Sequence, residues 1–196
     1  MSASARILGA VHWIKQIAVF GTAWASGDAL AQVYVKRRNT PLDQLVTSVS
    51  WADVNQTRLQ RAATFAMLVM FPMHWRYTRW IGLTYRQTTG EHLIRRWIAE
   101  QFIWAPMHIA AYMFLTPVVY HAGLNVNVAR LAYARTTIVL PEAWGWHWVV
   151  WLPARAILFW VVPRSLWVAF EACVWCVWSA KVSVIDQDSW KVSRAY

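Results

Sequence analysis

The stretch Ile94–Tyr120, IRRWIAEQFIWAPMHIAAYMFLTPVVY, decides how the rest of the chain is read. Beyond Arg95-Arg96 it holds one acid, Glu100, in a run of apolar residues. An α-helix needs roughly 20 such residues to cross the core of a bilayer. Outward from it, comparable stretches occupy residues 7–35, 61–81 and 148–183, and a polar tail follows at 184–196. The expected fold is therefore an all-α membrane protein, one domain spanning 1–196, with about four transmembrane helices. Prolines within the stretches suit this class, because neighbouring helices can satisfy the carbonyl that a proline frees. Pro72, Pro106 and Pro163 are expected to kink their helices and Pro153 to begin one. The connection 121–147 carries Gly123, Pro141 and Gly145, and its middle, Val128 to Leu140, reads as a short interfacial helix.

Composition supports the membrane class. Hydrophobic residues make up 58% of the chain and charged residues 14%, against roughly 25% charged in a soluble domain. The 16 tryptophans fit a bilayer boundary, where the indole body and its single N–H donor are both satisfied. Trp144, Trp146, Trp148 and Trp151 precede one apolar run; Trp75 and Trp80 follow another.

The net charge of +10 is spread over the connecting segments. Its tight groups, Lys36-Arg37-Arg38 and Arg95-Arg96, read as contacts to anionic lipid headgroups, cardiolipin among them. No nucleic-acid-binding motif accompanies the charge, so no nucleic-acid partner is expected. The basic residues divide too evenly between the two sides to orient the protein. No internal repeat and no secretory signal stand out.

The remaining motifs are weighed one by one. Cys173-Val174-Trp175-Cys176 has C-x-x-C spacing but lies in an apolar helical run with no strand before it, where a thiolate is not favoured. Packing is its expected role. The histidines His12, His74, His92, His108, His121 and His147 show no i, i+3 or i, i+4 pairing with a second ligand, so spacing assembles no metal or heme site, and most are expected at the interface. No nucleophile elbow, phosphate loop or zinc-protease motif occurs. No enzyme activity, cofactor or metal is expected.

Asp28, Glu100, Arg155 and Glu171 are ionisable residues inside predicted spans. Such groups usually face the bundle interior and have a partner. An ion pair of Arg155 with Asp28 or Glu100 is the specific expectation.

These positions sit within an ordered set of short motifs. Gly27-Asp28-Ala29-Leu30-Ala31-Gln32 matches G-D-x-x-[AS]-Q. Arg58-x-x-Arg61, Phe71-Pro72 and His74-Trp75-Arg76-Tyr77 follow. Then come Glu100-Gln101 with Pro106, Trp148-x-x-Trp151, Phe159-x-x-Val162-Pro163, and Trp178 with Ser183. In order and spacing the set resembles the Mpv-seventeen family of mitochondria, which also contains the twenty-two-kilodalton peroxisomal membrane protein. The chain departs from that pattern where Arg155 stands for glutamine, Leu158 for asparagine and Trp167 for arginine. The resemblance implies a helical protein of an organelle membrane, the mitochondrial inner membrane ahead of the peroxisomal one, linked to permeability and membrane homeostasis.

Two functions follow. One is a structural accessory subunit of a large respiratory-chain or ATP-synthesising membrane complex, with lipids and other membrane subunits as partners. The apolar Leu158 and Trp167 and the abundance of tryptophan favour it. The alternative is a channel for small solutes lined by Asp28, Gln32, Glu100, Gln101 and Arg155.

Overall fold

The computed structural model describes residues 3–40, 54–84, 90–120, 123 and 125–193. Among these the regular structure is helical, with no strand. Five helices follow in order. Helix α1 is Ala3–Asn39. Helix α2 joins Gln56–Phe65, a π turn at Ala66–Met70, and Phe71–Thr84. Helix α3 joins Gly90–Ala99, a π turn at Glu100–Trp104, and Ala105–Tyr120. Helix α4 is Val126–Trp160, and α5, entered through a 3-10 turn at Arg164–Leu166, is Trp167–Ser193.

Local chemistry sets these boundaries. Asn55 and Asn125 cap α2 and α4: the side-chain oxygen of each accepts the N–H three residues on, from Arg58 at 3.0 Å and Val128 at 2.9 Å. The two π turns share one cause. Pro72 and Pro106 lack an N–H, and their rings would crowd the carbonyls of Leu68 and Phe102. Both carbonyls lie inside the π turns, and the residue before each proline bonds one position further back, Phe71 to Ala66 and Ala105 to Glu100. Each proline is thus accommodated by one widened turn. The segments they join are Phe71-Pro72-Met73-His74 and Ala105-Pro106-Met107-His108, a local likeness between α2 and α3.

Three expectations change. The predicted span 148–183 is two helices, because the chain breaks at 161–166. Pro163 ends the α4 direction rather than kinking it: the Val161 and Val162 N–H groups both return to the Ile157 carbonyl, and the Trp167 indole N–H closes onto the Val162 carbonyl at 3.0 Å. The predicted interfacial helix and residues 126–147 of the connection are part of α4, with Pro141 and Pro153 inside it. Its unity comes from a buried stripe at helical spacing, Val128, Ala132, Arg135, Val139, Ala143, His147, Trp151 and Ala154. The predicted polar tail is helical as far as Ser193.

Among the described residues two segments are long and apolar enough to cross a membrane, Ile94–Val119 and Trp167–Asp188. Within the qualifying windows 44% and 39% of residues are buried.

The chain forms two compact units, residues 1–71 with 156–184, and residues 72–155 with 185–196. The first is centred on aromatic rings: Phe20 and Trp175 at 4.8 Å between centroids, Trp24 and Trp175 at 5.8 Å, Phe20 and Phe71 at 5.8 Å. The second packs Tyr77, Ile81, Ala99 and Trp104 with Met73 beside them, and Tyr77 stacks on Trp104 at 4.6 Å. In the first unit α1 also approaches α2 at Gly21. A Cβ there would meet Met67 Cγ at 2.5 Å and Sδ at 2.8 Å. A methionine side chain has alternative rotamers. Gly21→Ala is therefore expected to cost at most about 1 kcal/mol, read as the shift in unfolding of the detergent-solubilised protein.

Candidate functional site

Each unit encloses a polar cluster. In the first, Asp28 is 3% exposed and is the anchor for three helices. Gln32 Nε2 donates to its Oδ2 at 2.8 Å, one turn along α1. From α2, Arg58 Nε donates to Asp28 Oδ1 at 3.1 Å while its Nη2 donates to Ser183 Oγ at 2.8 Å. From α5, the Ser183 hydroxyl donates to Asp28 Oδ1. The Asn55 backbone N–H, at the start of α2, donates to Gln32 Oε1 at 2.8 Å. A carboxylate that collects this many donors has its desolvation offset inside the fold. Gly27 beside it lets α1 and α5 touch backbone to side chain at Ser179.

The second cluster is built around the π turn of α3, which carries Glu100, Gln101 and Trp104, all buried. Arg155 Nε of α4 lies 2.9 Å from Glu100 Oε2, and Arg96 Nε lies 3.5 Å from Oε1. The Arg155 guanidinium also sits 5.2 Å above the Trp151 ring. Trp151 stacks on His147 at 5.7 Å, His147 adjoins His108 at 5.3 Å, and His108 stacks on Trp104 at 5.1 Å. Gln101 links the halves: its Oε1 accepts from His147 Nδ1 at 3.0 Å and its backbone carbonyl accepts from the Trp144 indole at 2.9 Å.

The second unit holds a further buried pair. Arg135 of α4 donates to the Asp186 carboxylate on α5 and, at 3.2 Å, to its backbone carbonyl. Both residues are almost wholly buried.

Of the residues singled out from the sequence, the structure gathers Gly27, Asp28 and Gln32 in the first cluster, and Glu100, Gln101 and Arg155 in the second. Arg155 pairs with Glu100; Asp28 pairs with Arg58. Trp178 is fully buried, Pro106 is half-buried directly after the π turn, and Pro163 lies exposed in the break between α4 and α5. Lys36, Arg37 and Arg38 are exposed in the last turn of α1, with Arg38 over Tyr34 at 5.9 Å. Arg95 is exposed and paired with Glu91 at 2.6 Å, whereas Arg96 turns toward Glu100. Cys173 and Cys176 are both free thiols.

The sequence reading missed Arg58, Arg135, Asp186, His108 and His147. The histidines were expected at an interface, yet His108 and His147 are 1% and 3% exposed. Arg58 had a signal, since Arg58-x-x-Arg61 stands in the motif order. For Arg135 the signal was its place on the buried stripe of α4. Among the described residues no group of three or more His, Cys, Asp or Glu is arranged to hold a metal ion. Comparison of the chain with protein-family models, with curated proteins and with solved structures found no match.

Proposed function

We propose that this chain is a non-enzymatic integral protein of the mitochondrial inner membrane, crossing the bilayer about four times, and a structural accessory subunit of a large respiratory-chain or ATP-synthesising complex. In this reading it is a divergent relative of the Mpv-seventeen family whose polar interior has become a set of helix fasteners. The observation that carries the reading is the Glu100–Arg155 pair: the two charges at the heart of the family-like motifs lie 2.9 Å apart and are both buried. Intramembrane charges that neutralise one another and carry an aromatic ring on the cation hold helices together. A water-lined path needs polar groups turned to the lumen instead. Leu158, standing where the family has asparagine, is 1% exposed and packed. The apolar surface turned outward, including Trp160, Val161, Leu166 and Val177, suits lipid and neighbouring subunits. Lys36, Arg37 and Arg38 close one end of α1 with charge suited to anionic headgroups.

Native-gel electrophoresis of gently solubilised mitochondria, with this chain identified by mass spectrometry in every band, tests the proposal. The expected result is co-migration with a respiratory or ATP-synthesising assembly. Migration alone or as a small oligomer would overturn it in favour of the channel. That alternative predicts a conductance in reconstituted bilayers that changes on Arg155→Gln.

A further inference from the structure

We propose that the turn between α4 and α5 is a bilayer-inserted apex, seated at the boundary between the headgroups and the acyl chains of one leaflet. It rests on the membrane-spanning reading and adds where this turn lies and what covers it. The turn belongs to the first unit. Its outward residues are apolar: Trp160 is 83% exposed, Val161 73%, and Leu166 and Val168 54% each. Left in water, such a surface costs about 25 cal/mol for every Å².

The backbone is closed as a dry environment requires. The Val161 and Val162 N–H groups both donate to the Ile157 carbonyl, at 2.9 and 3.1 Å. The Trp167 indole N–H donates to the Val162 carbonyl at 3.0 Å. The Leu166 N–H donates to the Pro163 carbonyl at 2.9 Å, and Pro163 has no N–H of its own. A turn in water can leave these groups to solvent, whereas in hydrocarbon they must be satisfied within the protein. Phe159 meets Trp167 edge-on at 5.7 Å and ties the two sides of the break. Exposed apolar side chains on a backbone closed by its own residues make a tip suited to lipid.

Length, aromatic content and charge select the boundary. The apolar segment Trp167–Asp188 has 22 residues, about 33 Å at 1.5 Å each, against roughly 30 Å of hydrocarbon. A helix crossing along this segment brings its Trp167 end to the boundary. Trp160 and Trp167 flank the turn, and indole favours that level. Arg164 is the sole charged residue between Arg155 and Glu171, and one cation there suits lipid phosphate. From 160 to 168 the polar residues beside the tryptophans are Arg164 and Ser165 alone, too few for the polar rim of a protein interface.

The test uses the full chain with Cys173→Ser and Cys176→Ser, since both thiols are free, in liposomes of phosphatidylcholine and cardiolipin. Val161→Cys, Leu166→Cys, Val177→Cys and Glu91→Cys are introduced singly and nitroxide-labelled. Collisions with oxygen and with a water-soluble nickel chelate give the depth of each label. Val177, 57% exposed within α5, reports the hydrocarbon, and the exposed Glu91 reports water. The labels at 161 and 166 should lie about 5–10 Å below the phosphates, shielded from the chelate and open to oxygen, with that at 177 deeper. Chelate access at 161 and 166 equal to that at 91, with 177 still shielded, would overturn the apex while leaving the membrane reading intact. Chelate access at 177 as well would overturn both. Shielding of 161 and 166 from both reagents would show protein covering the turn and would also overturn the proposal. Should the labelled variants fail to fold, the unaltered chain is photolysed with a phospholipid carrying a diazirine near the top of its acyl chain. Adducts are expected in the tryptic peptide 156–164, and their absence there alongside adducts in 165–181 beyond residue 170 would overturn the proposal.

Discussion

Glu100→Gln is expected to destabilise the protein by about 3–5 kcal/mol, more than Arg155→Met, for which about 1–3 kcal/mol is expected. The asymmetry follows from the cluster's order. Glu100 lies between two guanidiniums, Arg155 at 2.9 Å and Arg96 at 3.5 Å. Removing its charge leaves Arg155 buried without the carboxylate and facing a second cation. Removing Arg155 instead leaves Glu100 with Arg96, so the buried carboxylate keeps a counter-charge. The Arg96 side chain is 29% exposed and can swing partly toward solvent or headgroups when Glu100 is neutral, but Arg155, at 8%, cannot. Equilibrium unfolding of both single variants and the double variant in mixed micelles gives the comparison. The cycle should return a coupling of about 0.5–3 kcal/mol. Equal losses in the two single variants would mean that Arg96 contributes nothing to the cluster.

The helical class was legible because the apolar runs are long and the charge is scarce, and the same scarcity marked Asp28, Glu100 and Arg155 as residues in need of partners. The pairings were only partly legible. Arg155 with Glu100 was one of two expected choices, and it depends on which helices adjoin, which composition does not encode. Asp28 found Arg58 from the start of α2, a residue outside the apolar stretch expected at 61–81. The largest error concerned α4. Pro141 and Gly145 read as loop marks, yet the stripe from Val128 through Ala132, Arg135, Val139, Ala143 and His147 to Trp151 is helical in period and buried. It was hidden because Arg135 and His147 are polar and interrupt the hydrophobic pattern, while in the fold Arg135 is neutralised by Asp186 and His147 is hydrogen-bonded to Gln101. Burial of a polar side chain is a property of its partner, and the partner lies 51 residues away for Arg135 and 46 for His147. The break at 161–166 was missed for a different reason. The residues around Pro163 are as apolar as a helix interior, so hydropathy runs through it, while the missing proline N–H does not.

Gly27→Leu is expected to have the largest effect of any substitution in the first unit, with Gly27→Ala already costing about 1–3 kcal/mol. A Cβ on Gly27 would enter the van der Waals envelope of Ser179 Oγ and of the Cys176 carbonyl oxygen, and would lie 2.7 Å from the Ala180 nitrogen. Two of these three atoms are backbone of α5. They cannot rotate away, unlike the Met67 side chain that faces Gly21. The only relief is separation of α1 from α5, and that separation acts on the next residue. Asp28 accepts from Ser183 on α5 and from Arg58 on α2, so a displaced α5 withdraws a donor from a buried carboxylate. A steric insertion thereby becomes an electrostatic loss, and the two costs should exceed what overpacking alone produces. The check is a series of Gly27→Ala, Gly27→Leu and Gly21→Ala unfolded under one set of conditions, with Gly27→Ala repeated on a Ser179→Gly background. Removing the Ser179 hydroxyl should recover only part of the loss, because the backbone atoms of Cys176 and Ala180 remain. Full recovery would show that the helices can spread at no cost, and that Gly27 serves the Ser179 contact alone. A loss at Gly21 as large as that at Gly27 would show that flexibility of the facing group does not govern the helix approach.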